Sequence, residues 1–334
     1  VGQVTLELAD VIDGDVISNS ESGTFRRCRR KWMLQYYRRL GHPEDKFPPT
    51  GAMHIGIAIH DAMEAYYGHG ESPIQVLRDI YNWHIKRWED DPDAVIEIAK
   101  DRDMAIIMVE GYLDWASLEG IDAEIEITGA EEIMTADMPN GYTLLGKLDV
   151  TGVNKENGFK FFIDHKTVGD LVRPAKQMEL NEQYPTYALL QRLNVGASRA
   201  VDGGYVNMLR RVKRTVQAKP PFYKRADVKF NEHQLRSMHR KIRGVISEII
   251  EVRRRLDAGE DHHIVAYPTP NADCDWDCPF RDVCPLMDDG SRYEDMLNKE
   301  FVEITNPYSR YTDEPLRKRA RDGLRQANEP DTVG

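Results

Sequence analysis

Three cysteines, Cys274, Cys278 and Cys284, fall in one short segment, and the only other cysteine, Cys28, stands near the opposite end of the 334-residue chain. A single centre using all four must close a very long loop and bring the two ends together. No other feature constrains the fold as strongly. Thiolates select zinc or iron–sulfur clusters over hard cations. The spacing Cys-x3-Cys-x5-Cys fits three ligands on one compact loop, with Cys28 as the fourth. The steps Cys278-Pro279 and Cys284-Pro285 are of a kind found around iron–sulfur ligands. The intervening Asp275-Trp276-Asp277 also suits zinc, which tolerates such gaps. The expectation is a [4Fe–4S] cluster, with zinc as the alternative and four unrelated thiols disfavoured by the clustering.

Composition narrows the setting. Hydrophobic residues make up 41% of the chain and charged residues 30%, which is enough apolar mass for a core. No apolar run reaches the roughly 18 residues a membrane span needs. The opening Val-Gly-Gln-Val lacks a basic segment followed by an apolar one. A cytoplasmic location is therefore expected (the host cytoplasm if the protein is viral), where clustered cysteines read as ligands before disulfides. The net charge of −11 argues against bulk, sequence-independent adhesion to nucleic acid. Two local basic tracts, Arg26–Arg39 and Arg210–Arg225, are nevertheless compatible with a DNA groove.

Periodicity predicts helices over 22–39, 52–68, 73–90 and 103–118, then strands over 123–133, 142–153 and 158–167. The pair Asn157-Gly158 marks a hairpin between the last two strands. A helix over 174–193, strands at 204–209 and near 215–218, and a long helix over 231–257 follow. The expected architecture is α/β (α+β): a core sheet flanked by helices, with the N- and C-terminal segments joined by a metal cluster. One domain is expected over 1–302, with 18–50 and 260–290 forming a cluster-bearing subdomain. Residues 303–334 read as a polar tail, mobile or dependent on a protein partner.

The chemistry concentrates on the hairpin. Side chains alternate along a strand, so Asp164 and Lys166 share a face while His165 points away. Folding about Glu156–Asn157 puts Asp149 nearly opposite Asp164. Two carboxylates so close repel unless a cation lies between them, and hard oxygen ligands favour Mg²⁺ or Mn²⁺. Lys166 would orient water or stabilise charge on a phosphate, and the backbone carbonyl of His165 offers one more oxygen. A second Asp-x-Lys at Asp227–Lys229 reads as a decoy leading into a helix, and Glu44-Asp45-Lys46 as another. His60, one turn beyond Gly56, and Gln183 with Tyr187 on one helix face are satellites of this centre.

Gly56-x-x-x-His60, Gly146-x-x-Asp149, Asp164-x-Lys166-Thr167 and Gln183-x-x-x-Tyr187, in that order, resemble the RecB-like branch of the PD-(D/E)XK nucleases. With the cysteine set, the chain is most similar to the iron–sulfur exonucleases associated with CRISPR adaptation and to AddB-type nuclease domains. The resemblance implies a restriction-endonuclease-like core. It also implies metal ligation by His60, Asp149 and Asp164, catalysis by Lys166, and support or DNA contact from Gln183 and Tyr187. A further family acid would map to Glu124, Glu126, Glu131 or Glu132.

The expected activity is metal-dependent hydrolysis of DNA, as an exonuclease on single strands or ends, in recombination, repair or replication. The partner is DNA, with Arg26, Arg27 and Arg30 as candidate phosphate contacts. The alternatives are a non-catalytic DNA-end-binding or assembly subunit and a structure-specific endonuclease.

Overall fold

The computed structural model describes residues 16–138, 141–309 and 313–328. In chain order its elements are β1 (Val16–Ser18), α1 (Asn19–Arg27), α2 (Arg29–Trp32) continued by a π-turn over Met33–Tyr37, β2 (Leu40–Gly41), α3 (Gly51–His69), α4 (Pro73–Arg87) and α5 (Pro92–Glu119). Next come β3 (Ile125–Asp137), β4 (Thr143–Asn154), β5 (Lys160–Val168), α6 (Val172–Gln177), α7 (Gln183–Val195), β6 (Gly203–Arg210) and β7 (Tyr223–Lys229). The chain then forms α8 (Glu232–Asp257), α9 (His262–Val265), α10 (Tyr293–Glu300), β8 (Val302–Glu303) and α11 (Leu316–Asn328). It divides into two compact units, one drawn from 1–47, 134–146 and 236–312, the other from 48–133, 147–235 and 313–334.

The second unit is a mixed α/β layer. β4 pairs antiparallel with β5, β5 parallel with β6, and β6 antiparallel with β7, while β3 pairs with β4. The hairpin turn between β4 and β5 is set locally. Asn154 Oδ1 accepts from the amides of Glu156 and Asn157 at 3.0 and 3.1 Å, and Gly158 takes φ +72°, a conformation that favours glycine. α3, α4 and α5 bury Ile59, Met63, Leu77, Ile80, Met108 and Val109 in one apolar cluster. α5 starts earlier than periodicity predicts because Asp91 caps it, accepting from the amides of Asp93 and Ala94 at 3.1 and 3.0 Å, with Pro92 in its first turn.

The first unit is organised around a buried acid. Glu21, fully buried, receives Trp32 Nε1 at 2.9 Å and Arg253 at 2.6 Å, and Tyr308 OH lies 2.8 Å from its other oxygen. Residues from three distant stretches thus meet at one carboxylate. β1 pairs in parallel with the start of β4, and β2 pairs with β8.

Four expectations are corrected. The helix over 22–39 breaks at Cys28, whose φ of −159° is extended and whose sulfur accepts from Lys31 N at 3.5 Å, capping α2. The helix over 174–193 is split, because Asn181 Oδ1 caps Gln183 N at 2.9 Å and starts α7 afresh. Residues 215–218 form turns rather than a strand, and the partner of β6 is β7, so Asp227 lies on a strand opposite Tyr205 and not at a helix start. Residues 303–334 are more than a tail. α11 packs against α4 and α3, with Ala320 fully buried and Arg317 paired to Asp61 and Glu64. Sequence polarity misled there because Arg317 and Arg321, paired to acids of α3, of α4 and of the turn between them, dock the helix together with the few apolar residues Leu316 and Ala320. The parts of that range outside 303–309 and 313–328 lie outside the described residues.

Arg317→Ala leaves Asp61 buried without its cation. At neutral pH it is expected to cost roughly 3–5 kcal/mol in denaturant unfolding. Burial already pushes the Asp61 carboxyl upward against the pull of Arg317. The deficit should therefore shrink as pH falls and Asp61 takes up a proton. A deficit below about 1 kcal/mol at neutral pH would contradict this docking role.

Candidate metal centre

The hairpin register decides the site. The ladder runs from Val153↔Lys160 to Val150↔Ile163. Asp149 and Asp164 are the next residue on each strand, so the two acids emerge side by side. On the adjoining helix α3, a Cβ at Gly56 would stand 3.1 Å from Thr167 Oγ1, so the glycine permits close approach to β5. One turn on, His60 Nε2 reaches Asp149 Oδ2 at 3.0 Å. Ligand atoms of His60, Asp149 and Asp164 all lie within 4.8 Å of one another.

Lys166 projects from the same face as Asp164, with Nζ 3.2 Å from Asp164 Oδ2 and 3.1 Å from Gln183 Oε1. Gln183 Nε2 donates to Tyr187 OH at 2.7 Å, which fixes which end of the amide faces the lysine. Tyr184 OH donates to Asp164 Oδ2 at 3.3 Å. Burial and Asp164 both push the Tyr184 phenol upward, so it stays a donor. Asp164 is 1% exposed, and its Oδ1 is buried without a hydrogen-bond partner.

That orphaned oxygen is the test of fit for a cation. An unsatisfied carboxylate oxygen, a second buried carboxylate and an imidazole converging on one point form an oxygen-rich donor set suited to a divalent ion. The charges agree. Burial alone would raise the Asp149 carboxyl, but His60 and the lysines hold it below the usual range. Burial would likewise depress His60, but Asp149 beside it raises the imidazole.

His165 lies on the opposite face, as alternation requires. Its ring stacks on Tyr67 at 5.4 Å between centroids, and burial holds it neutral, well below the usual histidine range. Only its backbone is a candidate ligand. On that face Arg225, from the second basic tract, is buried against Asp122, Tyr67 and Tyr112. Three residues escaped sequence reading. Glu64 is buried and pairs with Lys147 at 3.2 Å, and Lys147 sits two residues before Asp149 on β4. The available signal was an acid one turn beyond His60. Tyr184 was hidden beside the conspicuous Gln183. Of the four candidate family acids, Glu126 pairs with Lys155 at 3.8 Å, while burial raises the Glu132 carboxyl.

All four cysteines fall in the first unit. Burial raises the Cys278 thiol, and Cys28 and Cys274 raise it further; burial and Cys28 likewise raise Cys284. Residues distant in sequence therefore share one electrostatic neighbourhood. The segments are clasped by Arg30, which donates twice to Asp288 at 2.7 Å and to Cys284 O at 3.0 Å, and by Lys31, 2.6 Å from Asp277 Oδ2. Arg30 is 2% exposed, which corrects its assignment as a phosphate contact: its charge is spent on the cysteine loop. Arg27 pairs with Asp273 at 3.5 Å but is exposed, as is Arg26.

A profile of the PD-(D/E)XK nuclease superfamily matches residues 16–285. No curated protein matches. Among solved structures, a presumed exonuclease from Eubacterium rectale aligns at 11% identity and TM-score 0.43, covering 76% of this chain and 84% of its own. The protein SSO0001 aligns at 15% identity and TM-score 0.30, covering 63% of this chain and 84% of its own.

Mn²⁺ or Mg²⁺ should raise the melting temperature of the protein, by an amount corresponding to about 2.7 kcal/mol at a hundredfold excess over Kd. Asp164→Asn should abolish the shift while leaving the metal-free protein folded. An equal shift in this variant would place the ion elsewhere.

Proposed function

Since the chain belongs to the PD-(D/E)XK nuclease superfamily, we propose that it is a divalent-metal-dependent deoxyribonuclease of the RecB-like branch. In this reading it is an exonuclease acting on single-stranded DNA or DNA ends, in recombination, repair or replication. The observation that carries the proposal is the convergence of His60, Asp149 and Asp164 around a partnerless carboxylate oxygen, with Lys166 beside it. A binding subunit has no use for two acids facing a phosphate.

His60, Asp149 and Asp164 would hold the cation, with the His165 carbonyl as a further oxygen. When bound, it would polarise a phosphate oxygen and an attacking water. The remaining work falls to the chain. Lys166 carries the positive charge that meets the charge developing on the phosphate, and Gln183, oriented by Tyr187, holds that ammonium in place. Tyr184 fixes the rotamer of Asp164 by occupying Oδ2, which leaves Oδ1 for a ligand.

The cysteines support a [4Fe–4S] cluster. Four soft sulfur ligands in one compact unit, three of them within eleven residues, suit a centre that takes all of them as thiolates. Such a cluster would tie Cys28 to the 274–284 loop within its own unit and contribute its binding free energy to folding.

Asp149→Ala, Asp164→Ala and Lys166→Ala should each lower Mg²⁺-dependent degradation of labelled DNA by about a hundredfold or more, while binding in EDTA persists. Asp227→Ala, on β7, should stay near wild type. Dependence on Asp227 with Asp164 dispensable would overturn the assignment, and efficient cutting of circular DNA would replace exonuclease by endonuclease.

Cys28→Ala and Cys284→Ala should lose iron and thermal stability in parallel. A Cys28 variant with full iron content and unchanged melting would remove Cys28 from the ligand set.

A further inference from the structure

We propose that the cavity beside Lys166 is a base pocket that receives one nucleobase of the DNA strand next to the bond being cut. The inference rests on the nuclease reading above and adds how the strand is gripped. The cavity has a volume of about 180 Å³, and its walls include Lys166, Thr167, Met178, Asn181, Tyr184 and Met208. It therefore begins at the lysine of the metal centre. Its size is below the roughly 300 Å³ at which pockets for drug-sized ligands begin, so it suits one flat heterocycle rather than a stacked pair.

The walls match such a ligand. Met178, 8% exposed, makes an adaptable apolar wall with Met208 buried behind it, which suits a π-face. Tyr184 links the pocket to the chemistry, because the residue lining it also hydrogen-bonds Asp164. Asn181 supplies the polar handle. Its Oδ1 is engaged by Gln183 N at 2.9 Å, so the amide presents its Nδ2 donor, suited to a carbonyl or ring nitrogen on a base edge.

The segment between β5 and α7 extends the same chemistry outward. Val172 and Leu180 are 64% and 81% exposed, large apolar side chains facing water. Arg173 and Lys176, on the same short stretch, are exposed cations. Two exposed apolar side chains flanking two cations, with the acids Asp170 and Glu182 at the ends of the stretch, offer a single strand both base-stacking and phosphate contacts beside the slot. A folding role alone explains neither the exposed Leu180 nor the open cavity.

The test uses the whole 334-residue chain in EDTA and fluorescently labelled single-stranded DNA, with one abasic residue walked along the strand from its end. Binding is read by anisotropy. One position should stand out, its abasic form binding about tenfold more weakly, as expected for losing a base that packs on protein. Met178→Trp, which fills the cavity, should bind intact and abasic strands alike at that position. Asn181→Ala, a milder change at a half-buried residue, should reduce the discrimination several-fold. No privileged position, or discrimination that survives both variants, would overturn the pocket. Mg²⁺-dependent degradation is followed on the same preparations. Its absence would sink the nuclease reading, whereas degradation without positional discrimination would sink the pocket alone.

Discussion

The mutual repulsion of Asp149 and Asp164 is the constraint to which the rest of the site responds. The hairpin turn fixes the register, the register sets the acids side by side, and burial removes the water that would otherwise screen them. Each neighbour answers part of that charge. His60 approaches Asp149 from α3, Lys147 lowers the same carboxyl from two residues upstream, and Lys166 and Tyr184 contact one oxygen of Asp164. The oxygen left over, Asp164 Oδ1, is the one that this network of ion pairs and hydrogen bonds does not satisfy.

The same logic of buried charge shapes the rest of the chain. In the second unit Asp61 and Glu64, on the helix that carries His60, share Arg317 of α11, with Lys147 as a second cation for Glu64, so α11 supports the element that bears a candidate ligand. In the first unit Glu21 gathers Trp32, Arg253 and Tyr308, while Arg30 and Lys31 clasp the cysteine loop. Much of the N-terminal basic tract thus serves internal pairing: Arg29 binds Glu248 and Arg38 binds Glu294. A net charge of −11 leaves room for local basic surface, and Arg173 and Lys176 remain exposed.

What was legible in the sequence was what local rules control. The Asn157-Gly158 turn and the alternation in β4 and β5 suffice to bring Asp149 against Asp164, and the mixed α/β architecture follows from the order of helices and strands. What was not legible depended on partners far away in the chain. Arg30 looks like any arginine of a basic helix until Asp288 is beside it. Arg317 and Arg321 lie in a polar stretch whose ion pairs are made with acids about 250 residues earlier. The break at Cys28 comes from an extended residue whose sulfur caps the next turn, a role no periodicity announces. Tyr184 and Glu64 belong to the same class, because each sits beside a motif residue and acquires meaning only from what it touches.

The central claim is that His60, Asp149 and Asp164 form one divalent-metal site. Crystals soaked in Mn²⁺ and measured for anomalous scattering test it most directly. The account predicts a peak in contact with His60 Nε2, with a carboxylate oxygen of Asp149 and with Asp164 Oδ1. A well-ordered site without such a peak, or manganese bound only at the group of Asp261, His262 and His263, would contradict it.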